Sequence, residues 1–179
     1  MTHVGLRVAD IERSIGFYSG VFGMKELGRM PLNTVTVVFL GYADSAPSDV
    51  PLFAREGVLE LVCPTVRLTW ILLIQYTWLL NLAKQNSIKS MDTPNNHPDS
   101  RFVKLAFSVP DMDKAMEYLT SHDIKILKKA GTAQDSDVVC SFLGCETPEK
   151  GYDKGLWEAV VNVPFVEDPD EYLIEIIPY

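Results

Sequence analysis

One segment of this chain occurs twice. HVGLRVADIERSIGF, residues 3–17, lies residue for residue over KLAFSVPDMDKAMEY, residues 104–118, with every position displaced by 101. An internal repeat constrains the fold more than any single motif, because two copies of one pattern require two copies of one supersecondary unit. Each copy reads as strand, turn and helix: a short apolar strand runs into an aspartate suited to a helix N-cap, Asp10 or Asp111. Apolar residues then recur at helical spacing, Ile11 and Ile15 in one copy and Met112, Met116 and Leu119 in the other. A second match, displaced by 115, sets VLELV (58–62) over LIEII (173–177), a strand with one carboxylate inside it. TVTVVFL (34–40) and DVVCSFL (137–143), rich in β-branched residues, read as further strands. Each half is therefore roughly β-α-β-β-β, over about 1–63 and 100–179. The linker 64–99 resembles neither half.

Length and charge narrow the function. A chain of 179 residues suits one or two compact units. A net charge of −8 and a pI near 4.8 without a basic stripe argue against a nucleic-acid partner, since the counterion release that dominates such binding needs clustered cations. Cys63, Cys140 and Cys145 cannot pair completely and form no CxxC, and no secretory leader opens the sequence, so a reduced, cytoplasmic compartment is expected. The linker holds the longest apolar run, LTWILLIQYTWLLNLA (68–83), which is short of the ~20 residues that a membrane span needs and contains Gln75 and Asn81. No membrane partner is expected. A lid, a partner-binding helix and residues added by a mistaken gene model are all open readings of it, and MDTPNNHPDS (91–100) reads as loop.

Glu60 and Glu175 carry the chemistry. An ionised carboxylate among apolar neighbours is costly unless a cation or strong donors meet it. Taken singly, each could face water, because alternation along a strand turns Glu60 away from Leu59 and Leu61. The repeat offers another reading. Halves related by a pseudo-twofold would set His3, Glu60, Lys104 and Glu175 around one cavity, where an imidazole and two carboxylates form three ligands of a borderline divalent ion.

The chain resembles the glyoxalase I (lactoylglutathione lyase) family of the vicinal oxygen chelate superfamily. The residues that carry the likeness are HVGLRV (3–8), FYSGVFGM (17–24), GVLEL (57–61) and FVEDPDEYLIEI (165–176). It covers both halves and not the linker, whose apolar insert has no counterpart in the family. The resemblance implies an α+β fold of two βαβββ modules. It implies a divalent metal, zinc or nickel, on His3, Glu60 and Glu175, in a site within one chain or shared across a homodimer. Glutathione would be the co-substrate, and the small-molecule substrate the hemithioacetal that it forms with methylglyoxal, isomerised to S-lactoylglutathione through an enediolate. Glu175 would be the catalytic base. Arg7 matches an arginine that binds the thiol's carboxylate, and Arg101 stands near a second.

Departures from the family pattern are specific. Where the family has a histidine in a GFGH string, this chain has RFVK (101–104), placing Lys104 at the fourth ligand position. A lysine of ordinary pKa near 10.4 must lose a proton to bind metal, at about 4.6 kcal/mol at pH 7. Two outcomes follow: metal held by the remaining ligands, with help from His97, or the Lys104 ammonium seated between the carboxylates in place of the ion, there also able to act catalytically. Pro64 replaces an asparagine frequent in the family, and Glu171 stands where its EDPDG turn has glycine. His122 reads as a helix C-terminal cap, Trp70 and Trp78 as packing residues, and Cys140 as an inert strand residue. The alternatives to a glyoxalase I-like enzyme are a metal-free small-molecule-binding module and another reaction of the superfamily that uses Lys104. Extradiol dioxygenase chemistry is disfavoured for want of a second ligand histidine.

Overall fold

In the computed structural model, residues 2–64, 102–131 and 160–179 are described, with Cys140, Gly155 and Glu158 singly. The apolar run 68–83, the rest of the linker beyond Pro64, His97 and Arg101 lie outside the described residues. The chain divides into two compact units, Met1–Met91 and Asp92–Tyr179.

In the first unit, strand β1 (His3–Arg7) leads into helix α1 (Ile11–Phe22). The Asp10 carboxylate accepts from the backbone N–H groups of Glu12 and Arg13, at 3.0 and 3.1 Å, satisfying two donors that the first turn leaves without helical partners. The helix ends at Gly23, whose φ of 70° is left-handed, and the chain turns back as Met24 N–H donates to the Tyr18 carbonyl. Strands β2 (Lys25–Pro31), β3 (Val35–Gly41) and β4 (Val58–Pro64) follow. They form one sheet in the order β1-β4-β3-β2, with β1 parallel to β4 and the other pairs antiparallel. α1 packs on β3 and β4. Leu6, Val38, Leu40, Leu59 and Leu61 share one face of the sheet by register and are at most 4% exposed. The opposite face has its own apolar cluster of Val37, Phe39 and Val58, with Leu27, Val35, Leu52 and Val62 packed against it. Both faces are thus apolar enough to be covered.

The second unit repeats the plan with β5 (Leu105–Val109), α2 (Met112–Ser121), β6 (Ile126–Lys128), β7 (Phe165–Glu167) and β8 (Leu173–Pro178). Its sheet order, β5-β8-β7-β6, is again first, last, third, second, with the same parallel pairing of first and last strands. Asp111 caps α2 as Asp10 caps α1, and His122 closes its other end. The third strand is a correction. It was expected over 137–143, but Phe165–Glu167 takes that place in the sheet. Cys140 is helical and buried, and the rest of 137–143 lies outside the described residues. A short β-branched apolar run fits a buried helix as well as a strand; what selects β7 is a partner, since Phe165 pairs with Glu175 and Glu167 with Leu173. The architecture is the expected α+β fold of two βαβββ modules.

Candidate active site

The equivalence of the two sheets extends to single residues. In the first, Glu60 on β4 lies between Gly5 on β1 and Phe39 on β3; in the second, Glu175 on β8 lies between Ala106 on β5 and Phe165 on β7. Side chains alternate along a strand, so the residues two positions before Gly5 and Ala106, His3 and Lys104, share the face of their carboxylate. The structure brings each to it within its own unit.

His3 Nε2 stands 3.5 Å from Glu60 Oε2, and the other ring nitrogen is 3.0 Å from the Thr2 hydroxyl. The imidazole meets Phe39 edge-on, with ring centroids 6.3 Å apart and planes at 87°, and Phe53 lies 6.3 Å away on another side. Glu60 does not simply face water. It sits on the face of Val58, Val62 and Phe39, with its side chain 24% exposed. Gly5 makes room for it: a Cβ there would lie 3.3 Å from the carboxylate oxygen. Phe53, 57% exposed, belongs to a short turn (Leu52–Ala54) in the β3–β4 connection. Arg55 holds that connection, its guanidinium donating to the carbonyls of Ala43, Pro47 and Val50. Arg7, two residues beyond Gly5 and opposite Val62, is exposed on the same face of the sheet as His3 and Glu60.

In the second unit Lys104 Nζ forms an ion pair with Glu175 Oε2, with side-chain exposures of 29% and 11%. The strand carrying Glu175 is aimed by the turn before it. Asp168, buried, accepts with Oδ1 from the backbone N–H groups of Asp170 at 2.9 Å and Tyr172 at 2.7 Å, and Glu171 takes a φ of 66°. The Tyr172 ring meets Phe102 edge-on at 5.7 Å, anchoring the chain just before Lys104.

The divalent ion that the resemblance implies asks for several lone-pair donors converging on one point. His3 and Glu60 offer two. Glu175 instead faces an ammonium, which has no lone pair to give, and among the described residues no group of three or more His, Cys, Asp and Glu could hold an ion. The second half does not fit a metal ligand set. Reading the sequence missed Phe39, Phe53 and Phe165, which flank the site residues. Aligning the strands that precede the two glutamates would have found Phe39 and Phe165; Phe53 carried no signal. Among the described residues no helix is long and apolar enough to cross a membrane.

Comparison with known proteins agrees with this geometry. The family model of the Glyoxalase/Bleomycin resistance protein/Dioxygenase superfamily matches residues 1–176. The chain is 26% identical over 186 residues to glyoxalase I of Saccharomyces cerevisiae, covering 100% of this chain but only 44% of the yeast protein. It is 25% identical over 179 residues to lactoylglutathione lyase of Salmonella typhimurium, covering 99% of this chain and 90% of that one. Among solved structures, the trypanothione-dependent glyoxalase I of Leishmania major shares the fold with a TM-score of 0.55 at 24% identity, over 99% of this chain and 85% of that one.

Proposed function

The chain belongs to the glyoxalase, bleomycin resistance protein and dioxygenase superfamily, and from that membership we propose that it is a glyoxalase I-like enzyme that isomerises a 2-oxoaldehyde–thiol hemithioacetal to the 2-hydroxyacyl thioester. The observation that carries the reading is the matched pair of strand carboxylates, Glu60 and Glu175, each at the same register position and each beside a nitrogen side chain. The reaction moves the C–H proton from the carbon bearing sulfur to the adjacent carbonyl carbon, while the hydroxyl proton on the first carbon passes to the former carbonyl oxygen. A carboxylate takes that proton while the electron pair moves toward the carbonyl oxygen, giving an enediolate, and returns it to the neighbouring carbon. Glu175 is the proposed base: it is buried, held on a strand, and keeps a second oxygen beyond the one that Lys104 meets. The Lys104 ammonium stands where developing oxyanion charge needs a cation. Arg7 would bind a carboxylate of the thiol. Glutathione as that thiol is supported by the relatives called lactoylglutathione lyase.

Thioester formation from methylglyoxal and glutathione tests the proposal. The parent protein is expected to turn over, and Glu175→Gln to lose at least about 100-fold in kcat with little change in KM, the lower end of what a positioned base supplies. No thioester from the parent, or a Gln variant as fast as the parent, would refute it. The self-neutralising Lys104–Glu175 pair favours a second reading, a metal-free small-molecule-binding module, which the same assay separates by binding without turnover.

A further inference from the structure

The two halves differ in kind at one pair of equivalent positions, His3 and Lys104. We infer that Lys104 takes the place of a divalent ion at Glu175, so that the second half of this protein binds no metal through its carboxylate and meets an anionic substrate oxygen directly with its ammonium. The claim about metal stands on the ion pair alone; the claim about the substrate oxygen rests on the function proposed above. Three observations support it. The ammonium contacts Glu175 Oε2 itself, a position that a cation would occupy, so an ion would either have to displace the lysine there or approach the other oxygen against its positive charge. Of the three N–H donors of an ammonium, one serves Glu175, and with the Lys104 side chain 29% exposed the others are within reach of an incoming oxygen. The first half is an internal control. There the equivalent residue is an imidazole 3.5 Å from its glutamate, an arrangement that can donate a nitrogen lone pair. A single change, Lys104→His, copies that arrangement into the second half.

The experiment counts metal on the full-length chain. Parent, Lys104→His and Lys104→Arg are stripped with chelator, loaded with nickel or zinc chloride, desalted and analysed by plasma mass spectrometry, with thermal melting to verify folding. Parent and Lys104→Arg are expected to stay metal-poor, and Lys104→His to retain about tenfold more, as an added nitrogen ligand would allow. Near-stoichiometric metal on the parent that is lost in Glu175→Gln, or a folded histidine variant no better than the parent, overturns the inference; metal that the Gln variant keeps lies in the first half and supports it. Should the histidine variant not fold, nickel titration of parent against Glu175→Gln decides: equal uptake supports it, and a loss with Gln overturns it. Thioester formation is measured separately, so a protein inactive on the hemithioacetal but with the expected metal counts would refute the proposed reaction and leave the charge replacement standing.

Discussion

At Glu171 the backbone takes φ 66°, a conformation that a side chain with a Cβ enters at a cost of roughly 1–2 kcal/mol. The EDPD string marked this turn in the sequence, and the glycine expected at its last position is what the geometry asks for. Glu171→Gly removes the strain and adds back about 0.5–1 kcal/mol of unfolded-chain entropy, for a net gain of about 0.5–1 kcal/mol. Urea unfolding measures it. A loss of stability would mean instead that the attraction between Glu171 and Lys125 outweighs the strain. The lysine at position 104 was equally visible, and a seat for its ammonium between the two carboxylates was one of the two outcomes that its charge left open. That Glu175 on β8 is within its reach came only with the strand register.

Helix starts were the most readable elements, because a cap acts over three residues of sequence. At α2 the cap also gathers a cation: Asp111 accepts from the backbone of Lys114 at 3.1 Å, and the Lys114 ammonium lies 2.7 Å from its other oxygen. The Lys114 side chain first, and its backbone N–H second, hold the Asp111 carboxyl below its ordinary value of 3.8. A carboxyl with a folded pKa below its unfolded one stabilises fully above the unfolded value, and this contribution fades as pH falls through the folded one. The melting-temperature gap between parent and Asp111→Ala should therefore be flat from neutrality down to about pH 5, and should narrow below about pH 4 and in high salt. A gap that keeps its full size in strong acid would show that the cap acts without its charge. Strand identity was harder to read. The run 137–143 carried the right residue types, yet β7 formed at Phe165–Glu167, because a strand is decided by the partner it pairs with and not by residue type alone.

The plan of the whole molecule was legible because the repeat states it twice: two modules, each with its last strand beside its first. The aromatic residues beside each glutamate were less so, since pairing Phe39 with Glu60 and Phe165 with Glu175 needs the register of neighbouring strands, which only an alignment of the strands before the two glutamates would have suggested. The copies have also diverged within that frame, and Gly5 and Ala106 face their glutamates without and with a methyl group respectively. Every replacement of Gly5 adds an atom whose nearest contact is the Glu60 carboxylate, 3.3 Å away. Saturation mutagenesis should then reveal lopsided tolerance: variants at column 5 keep their fold and lose catalytic output, while small residues at column 106 pass unnoticed. One repeated position thus carries two different demands, and in the first copy a side chain fits there only if the Glu60 carboxylate gives way by a few tenths of an ångström.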